Sequence, residues 1–259
     1  MEVRVESLFC GYGKEEPVLS DINLEMSTDD GLICIIGPNG VGKSTLIKCI
    51  DGLIQPQSGA VLLDGKDVRE YGRKELADRI GYVQSVYDTR SNMSVFETVS
   101  MGRFNHMGWR VSAEDLQMVD RAIRVMGIQH LSEKSINELS AGQFQKAMIA
   151  RGLVQDTEVL ILDEPTSNLD IRSQVFVTSL LKNMANVEKK LIIMISHDVN
   201  IASKMADKIL ILARPGRVLA FGTPEEVITE SNIMEAYGVE CDITDHEGRP
   251  NILIRSDSV

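Results

Sequence analysis

The residues best suited to chemistry form one run, Gly37-Pro38-Asn39-Gly40-Val41-Gly42-Lys43-Ser44, followed by Thr45. It fits the pattern G-x-x-x-x-G-K-[ST], which cradles a polyphosphate. Glycines let backbone N–H groups turn inward around phosphate oxygens without Cβ clashes. A helix opening at this point adds the positive end of its dipole. Lys43 supplies a mobile cation for the β and γ phosphates, and Ser44 offers a hydroxyl to Mg2+. The run follows the apolar stretch Leu32–Ile36 and precedes a helical pattern, the context this motif requires. It predicts nucleotide binding.

A second cluster lies far downstream. Val159-Leu160-Ile161-Leu162-Asp163-Glu164 reads as a buried strand ending in two carboxylates. Successive side chains on a strand point to opposite faces, so the two acids are expected to do different work. Asp163 stands where the metal partner of a phosphate-loop protein is expected. Glu164 is the candidate general base for an attacking water.

Between and after these clusters come further motifs in a telling order. Leu139-Ser140-Ala141-Gly142-Gln143 resembles the signature motif of ATP-binding cassette (ABC) proteins. Pro165-Thr166-Ser167-Asn168-Leu169-Asp170 looks like the D-loop region of that family. Gln84, after Ile80-Gly81-Tyr82-Val83, is similar to its Q-loop glutamine, and His197 to its switch histidine. Tyr12 sits like the aromatic that stacks on adenine. Ser140 and Gln143 would also form a helix-capping box unaided. One departure stands out: the commonest signature has glycine where this chain has Ala141, which would be strained if that position needed a positive φ.

The resemblance implies an ATPase using ATP and Mg2+, with Ser44, Gln84 and Asp163 around the metal. It implies that Glu164 activates water, that His197 holds the γ-phosphate, and that Ser140, Gly142, Gln143 and Asp170 contact nucleotide. It also implies that two copies pair head to tail, the signature of one covering ATP on the phosphate loop of the other. Residues 94–106 and the tail at 220–228, 237–239 and 248–250 resemble the importers of ferric siderophores, haem and cobalamin. The expected partners are membrane permease subunits and, through them, an external binding protein. Permease segments are expected to dock near Gln84, Tyr87 and Arg103, holding the chain at the cytoplasmic face of the membrane. The alternatives are a non-transport cassette ATPase, a transporter for another cargo, or another phosphate-loop enzyme such as a small-molecule kinase.

These residues need a frame. The runs Leu32–Ile36, Val159–Leu162 and Leu191–Ile195 are apolar at nearly every position, as parallel strands covered on both faces are; residues 208–212 form a further apolar run. Helical patterns follow at 44–50, 171–184 and Val199–Met205, so the core reads as α/β with a parallel sheet. Residues 3–9 and 18–26 alternate like half-exposed strands, and 59–63 runs into Asp64-Gly65; together they predict an antiparallel β layer. From 94 to 153 the pattern is helical, with Ser94 and Glu97 as a capping box and an amphipathic period over 113–126. We read 1–259 as one ABC ATPase domain: a RecA-like core over 1–93 and 154–259, and an inserted helical subdomain over 94–153. Thr223-Pro224-Glu225-Glu226 starts a helix in the tail, and 252–254 reads as a last strand.

Composition narrows the classes. The 259 residues carry 38 Asp and Glu against 27 Lys and Arg, a net charge of −11, which disfavours binding nucleic acid through phosphates. At 43% hydrophobic and 25% charged the chain reads as globular. Its four cysteines, Cys10, Cys34, Cys49 and Cys241, form no C-x-x-C pair and read as reduced, buried thiols. No apolar stretch approaches the ~18 residues of a membrane span, and the start lacks the apolar core of a signal peptide. A membrane role is therefore expected to come through a partner.

Overall fold

The all-apolar runs lie side by side, as strands buried on both faces must. The computed structural model describes residues 1–11, 17–84, 92–105 and 112–255. In chain order, β1 (Glu2–Cys10), β2 (Leu19–Ser27) and β3 (Leu32–Ile36) precede α1 (Lys43–Ile50), and β4 (Ser58–Leu63) and β5 (Lys66–Asp67) lead to α2 (Arg73–Ala77) and β6 (Ile80–Val83). Helices α3 (Val95–Ser100), α4 (Ala113–Val125) and α5 (Ala141–Leu153) follow. Then come β7 (Val159–Leu162), α6 (Ile171–Val187), β8 (Leu191–Ile195), α7 (Val199–Met205), β9 (Lys208–Ala213) and β10 (Arg217–Gly222). The last elements are α8 (Pro224–Val227), α9 (Glu230–Tyr237), β11 (Cys241–His246) and β12 (Arg249–Ile254).

The main sheet has the order β10-β9-β3-β8-β7-β6. All its neighbours are parallel except β10, which returns antiparallel to β9. Every residue of β3, β7 and β8 is buried. Alternation splits β3 between two apolar clusters. Leu32, Cys34 and Ile36 face the side that also holds Val99 of α3, Ile123 of α4, Ala147 of α5 and Leu181 of α6. Ile33 and Ile35 face α1 and the second sheet, through Leu46, Ile50, Val5 and Ile22. That second sheet is antiparallel, in the order β2-β1-β4-β5.

Helix starts follow the capping residues. Ser94, Ser112, Ser140 and Thr223 each close a reciprocal capping box, and Pro224 occupies the first turn of α8. The tail holds two strands that the sequence reading above does not include. β10 is apolar over Val218 to Phe221 but only half-buried at the sheet edge, with Val218 and Phe221 against one cluster and Leu219 and Ala220 against the other, and β11 is largely polar. β11 pairs with β12 through a turn in which both Glu247 and Gly248 have positive φ, the geometry of a type I′ hairpin without its usual Asn-Gly sequence.

Arg103 departs from its expected place. It is 8% exposed, donates from Nε to Asp115 Oδ1 at 2.9 Å and from Nη1 to the carbonyl of Val154 at 3.0 Å. It therefore ties α4 to the end of α5 and presents no free charge to a docking partner. The short connection after α3 turns its guanidinium inward, a packing relation that adjacent residues do not reveal.

Candidate functional site

The strand β3 delivers the phosphate loop to the edge of the parallel sheet, and α1 starts at its end. Gly42 caps α1 in the left-handed region at φ 106°. Gly37 has φ 146°, and a Cβ there would lie 2.3 Å from the carbonyl oxygen of Leu212. Side chains are excluded at both positions, so backbone amides can approach a phosphate. Lys43 is buried, and its ammonium donates to the carbonyls of Gly37 at 2.7 Å and Pro38 at 2.9 Å. Burial lowers its pKa, while Glu164 and then Asp163 oppose that shift.

The acidic cluster meets this loop from β7. Ser44 Oγ donates to Asp163 Oδ1 at 3.1 Å, across 119 residues of chain. Burial raises the pKa of Asp163, and the Ser44 bond works against the rise. A hydroxyl and a carboxylate converging at this distance are oxygen donors of the kind a hard divalent cation takes. Tyr82 of β6 reaches the other carboxylate oxygen, its hydroxyl 3.5 Å from Asp163 Oδ2, at the outer limit of a hydrogen bond. His197 Nε2 lies 2.5 Å from Glu164 Oε1. The two acids do face different partners, but strand alternation is not the reason. β7 ends at Leu162, and Glu164 has a φ of 52°, so the chain has already turned into left-handed geometry.

Asn39, Gly40, Gly42, Lys43, Ser44, Thr45, Glu164 and His197 line one cavity of about 580 Å³. A cation, a hydroxyl beside a carboxylate, and a second carboxylate beside an imidazole thus converge on one cavity. The model of the ABC transporter family matches residues 19–167. The chain belongs to the ABC transporter family. This ABC ATPase is 38% identical over 247 residues to the ferric enterobactin transport ATP-binding protein FepC of Escherichia coli, covering 94% of this chain and 89% of FepC. It is 32% identical over 244 residues to the petrobactin import ATP-binding protein FpuD of Bacillus anthracis, covering 93% and 88%. Among solved structures, an inward-facing metal-chelate type ABC transporter superposes with a TM-score of 0.80 at 25% identity, covering 98% of this chain and 96% of that one. The dimeric cassette MJ0796 bound to ADP and Pi gives a TM-score of 0.77 at 25% identity, covering 85% and 98%.

The remaining motif residues of the ABC ATPase sit elsewhere. Ser140 accepts from Gln143 N at 3.3 Å, and Gln143 Oε1 accepts from Ser140 N at 3.0 Å, opening α5. Ala141 is the first residue of α5 and has no positive φ, so alanine is unstrained there. Gly142 lies against the D-loop region: a Cβ on it would be 3.0 Å from the carbonyl oxygen of Asn168. Asp170 caps α6, accepting from Ser173 N at 2.7 Å, a bond that lowers its pKa. Gln84 follows β6 directly and is exposed, and it is not among the residues lining the phosphate-loop cavity. Tyr12 and Tyr87 lie outside the described residues.

Three side chains of the site carry no motif. Val18 lines the cavity. Tyr82 reaches Asp163 because β6 pairs with β7 in register Tyr82↔Ile161. Tyr237 of α9 lies close to Gly37: burial pushes its phenol up to about 12, and the Gly37 backbone works against the rise. No periodicity marks any of them. Strand pairing across nearly eighty residues and a returning tail create these neighbours.

Proposed function

We propose that this chain is the ATP-hydrolysing subunit of a metal-chelate importer, working as a head-to-tail pair on partner permease subunits. One observation carries the pairing. Ser140, Gly142 and Gln143 do not line the cavity that holds Lys43, Ser44, Glu164 and His197; Ala141 instead lines a separate hollow with Asn137, Phe144 and Asn168. A helix start that offers N–H groups and a hydroxyl suits an anion. A two-fold axis would bring the Ser140 end of each copy to the phosphate loop of the other.

In this reading Glu164 takes the proton of the attacking water, His197 orients Glu164 and the γ-phosphate, and Lys43 moves from loop carbonyls to phosphate oxygens. Ser44 and Asp163 would hold Mg2+, which when bound neutralises phosphate charge, and Gln84 would report on that position. Tyr12 would stack on adenine. Residues 94–153 would move as a helical subdomain against the core at 1–93 and 154–259. ATP closes the pair by bridging both copies, and hydrolysis releases it.

The permease docking surface is drawn away from Arg103 toward its neighbours. Phe104 is 74% exposed and Met101 45% exposed. They border a groove of about 340 Å³ shared with Asp51, Tyr82 and Arg151. The Asp51 carboxyl has no hydrogen bond or ion pair among the described residues, and burial raises it to about 7. An apolar segment with a basic side chain would complement it. Among the described residues no helix is long and apolar enough to cross a membrane.

The cargo is read from the relatives named for ferric enterobactin and petrobactin transport. A ferric siderophore is the preferred cargo, with haem and cobalamin as the other members of that chemical group, delivered by an external binding protein. Uptake of labelled ferric chelates, haem and cobalamin should be compared in cells with and without this gene. Loss of ferric chelate uptake alone is the expected result. Unchanged uptake of all three cargoes would reject metal-chelate import.

A further inference from the structure

Four free thiols are buried in this chain, and two of them touch. Cys49 Sγ lies 3.4 Å from Cys10 Sγ. The pair joins the end of β1 to the helix that opens at the phosphate loop. Cys49 sits in the last turn of α1, whose first turn carries Lys43, Ser44 and Thr45. Cys10 ends β1, two residues before Tyr12. The nucleotide chemistry described above uses neither sulfur.

The end of β1 is irregularly paired. Its register with β2 shifts between Val5 and Leu8 and again between Leu8 and Cys10. Its pairing with β4 ends at Phe9↔Ser58, so Cys10 is held on one side, opposite Leu19. Strand ends with few ladder bonds open locally before the core does. Cys34 lies mid-strand in β3 and Cys241 at the start of β11, and no sulfur contact joins either to another cysteine.

We propose that Cys10 and Cys49 form a reversible oxidation site, at which a small peroxide converts the two thiols to a disulfide that ties β1 to α1 and slows ATP hydrolysis. Opening of the β1 end admits peroxide to Cys10. Its sulfur attacks one peroxide oxygen, the O–O bond breaks, and a sulfenic acid and one water form. As the strand recloses, the Cys49 sulfur attacks the Cys10 sulfur. The S–S bond forms, the S–O bond breaks, and the departing oxygen leaves as a second water with the Cys49 proton. Two thiols are oxidised and one peroxide is reduced. Burial raises the Cys49 pKa, which keeps that thiol protonated and quiet while the strand is closed.

The bond needs the sulfurs at about 2.05 Å, more than an ångström closer than they stand. α1 is a short, packed helix, so pulling its last turn toward β1 displaces its first turn. Misplacement of about 1 Å at a catalytic site lowers turnover by on the order of 10²-fold.

The test uses the purified, reduced full-length chain treated with hydrogen peroxide. Peptide mapping is expected to find residues 10 and 49 linked, with turnover of Mg-ATP lowered by about 10- to 10²-fold and restored by dithiothreitol. Cys10→Ala and Cys49→Ala should each retain turnover under the same treatment. Three results would overturn the proposal: no linked peptide, with both thiols still alkylated after denaturation; a linked peptide with unchanged turnover; or equal peroxide inactivation in whichever alanine variant folds.

Discussion

His197 and Glu164 leave the C-terminal ends of adjacent strands, β8 and β7, and meet with Nε2 2.5 Å from Oε1. The pairing fixes Glu164 in the left-handed turn that aims it into the phosphate-loop cavity. Glu164→Gln keeps the shape of that contact and removes the base. It should leave ATP binding intact and lower turnover by roughly 10²–10⁴-fold. Size-exclusion chromatography with Mg-ATP should then show an accumulated dimer. Full turnover in this variant would remove Glu164 from the mechanism.

Lys43→Ala tests the cradle separately from the chemistry. The alanine variant loses the charged donor now shared by the carbonyls of Gly37 and Pro38. Charged hydrogen bonds contribute about 1.5–3 kcal/mol, so ATP affinity should fall about 10- to 10²-fold. Titration with a fluorescent ATP analogue measures it. Unchanged affinity would contradict the assignment of this loop.

Arg103→Glu should damage the fold, not a docking contact. It places a second carboxylate against Asp115, which is 5% exposed. Breaking a buried pair in this way costs about 3–5 kcal/mol, read as a lowered Tm. The Ser112 hydroxyl, and after it Arg103, holds Asp115 at about 2. A carboxylate with a depressed folded pKa stabilises the fold above its unfolded value of about 4. That contribution should fade as pH falls from about 4 to 2 and be absent in Asp115→Asn. A wild-type Tm that stays flat over that window would contradict it.

Asp51→Asn should act with the opposite sign. Burial alone raises the Asp51 carboxyl to about 7. An unfolded chain releases this proton above about pH 4, while the folded chain keeps it until about 7, so the penalty on folding grows across that window. Asparagine removes it. Stability should rise by about 1–4 kcal/mol at pH 8 and stay unchanged at pH 4. With the permease present, the same variant and Phe104→Ala should each weaken stimulation of ATP hydrolysis while leaving the basal rate intact. Normal stimulation in both would move the docking surface elsewhere.

How much of this was legible in the sequence depended on how local the cause was. Gly37 to Ser44 were readable because their backbone needs are satisfied within eight residues and confirmed by the flanking strand and helix. The core strands were readable because burial on both faces leaves a continuous apolar run. Ser94, Ser140 and Thr223 were readable as helix starts because the cap partner lies three residues away. The β10 edge was not read although Val218 to Phe221 are apolar, because so short a run does not tell a strand from a helix, and β11 was hidden because it is largely polar. Arg103 misled for a related reason: its partner Asp115 is twelve residues on, and nothing local tells a buried guanidinium from an exposed one. Asp163 and Glu164 were assigned to different partners by an argument from alternation, which the turn at Glu164 replaces.

The spatial gap between the Ser140 helix end and the Lys43 cavity has a kinetic consequence. If each catalytic centre needs both, a lone copy has no complete centre, and the rate law for the detached chain is second order in protein at low concentration. Specific activity would climb on concentrating the sample and level off once pairing saturates. Two copies anchored on one membrane assembly would escape this dependence, because tethering sets their effective concentration in place of bulk dilution. A detached chain whose activity per molecule is constant across a wide dilution series would show that one copy holds a whole centre.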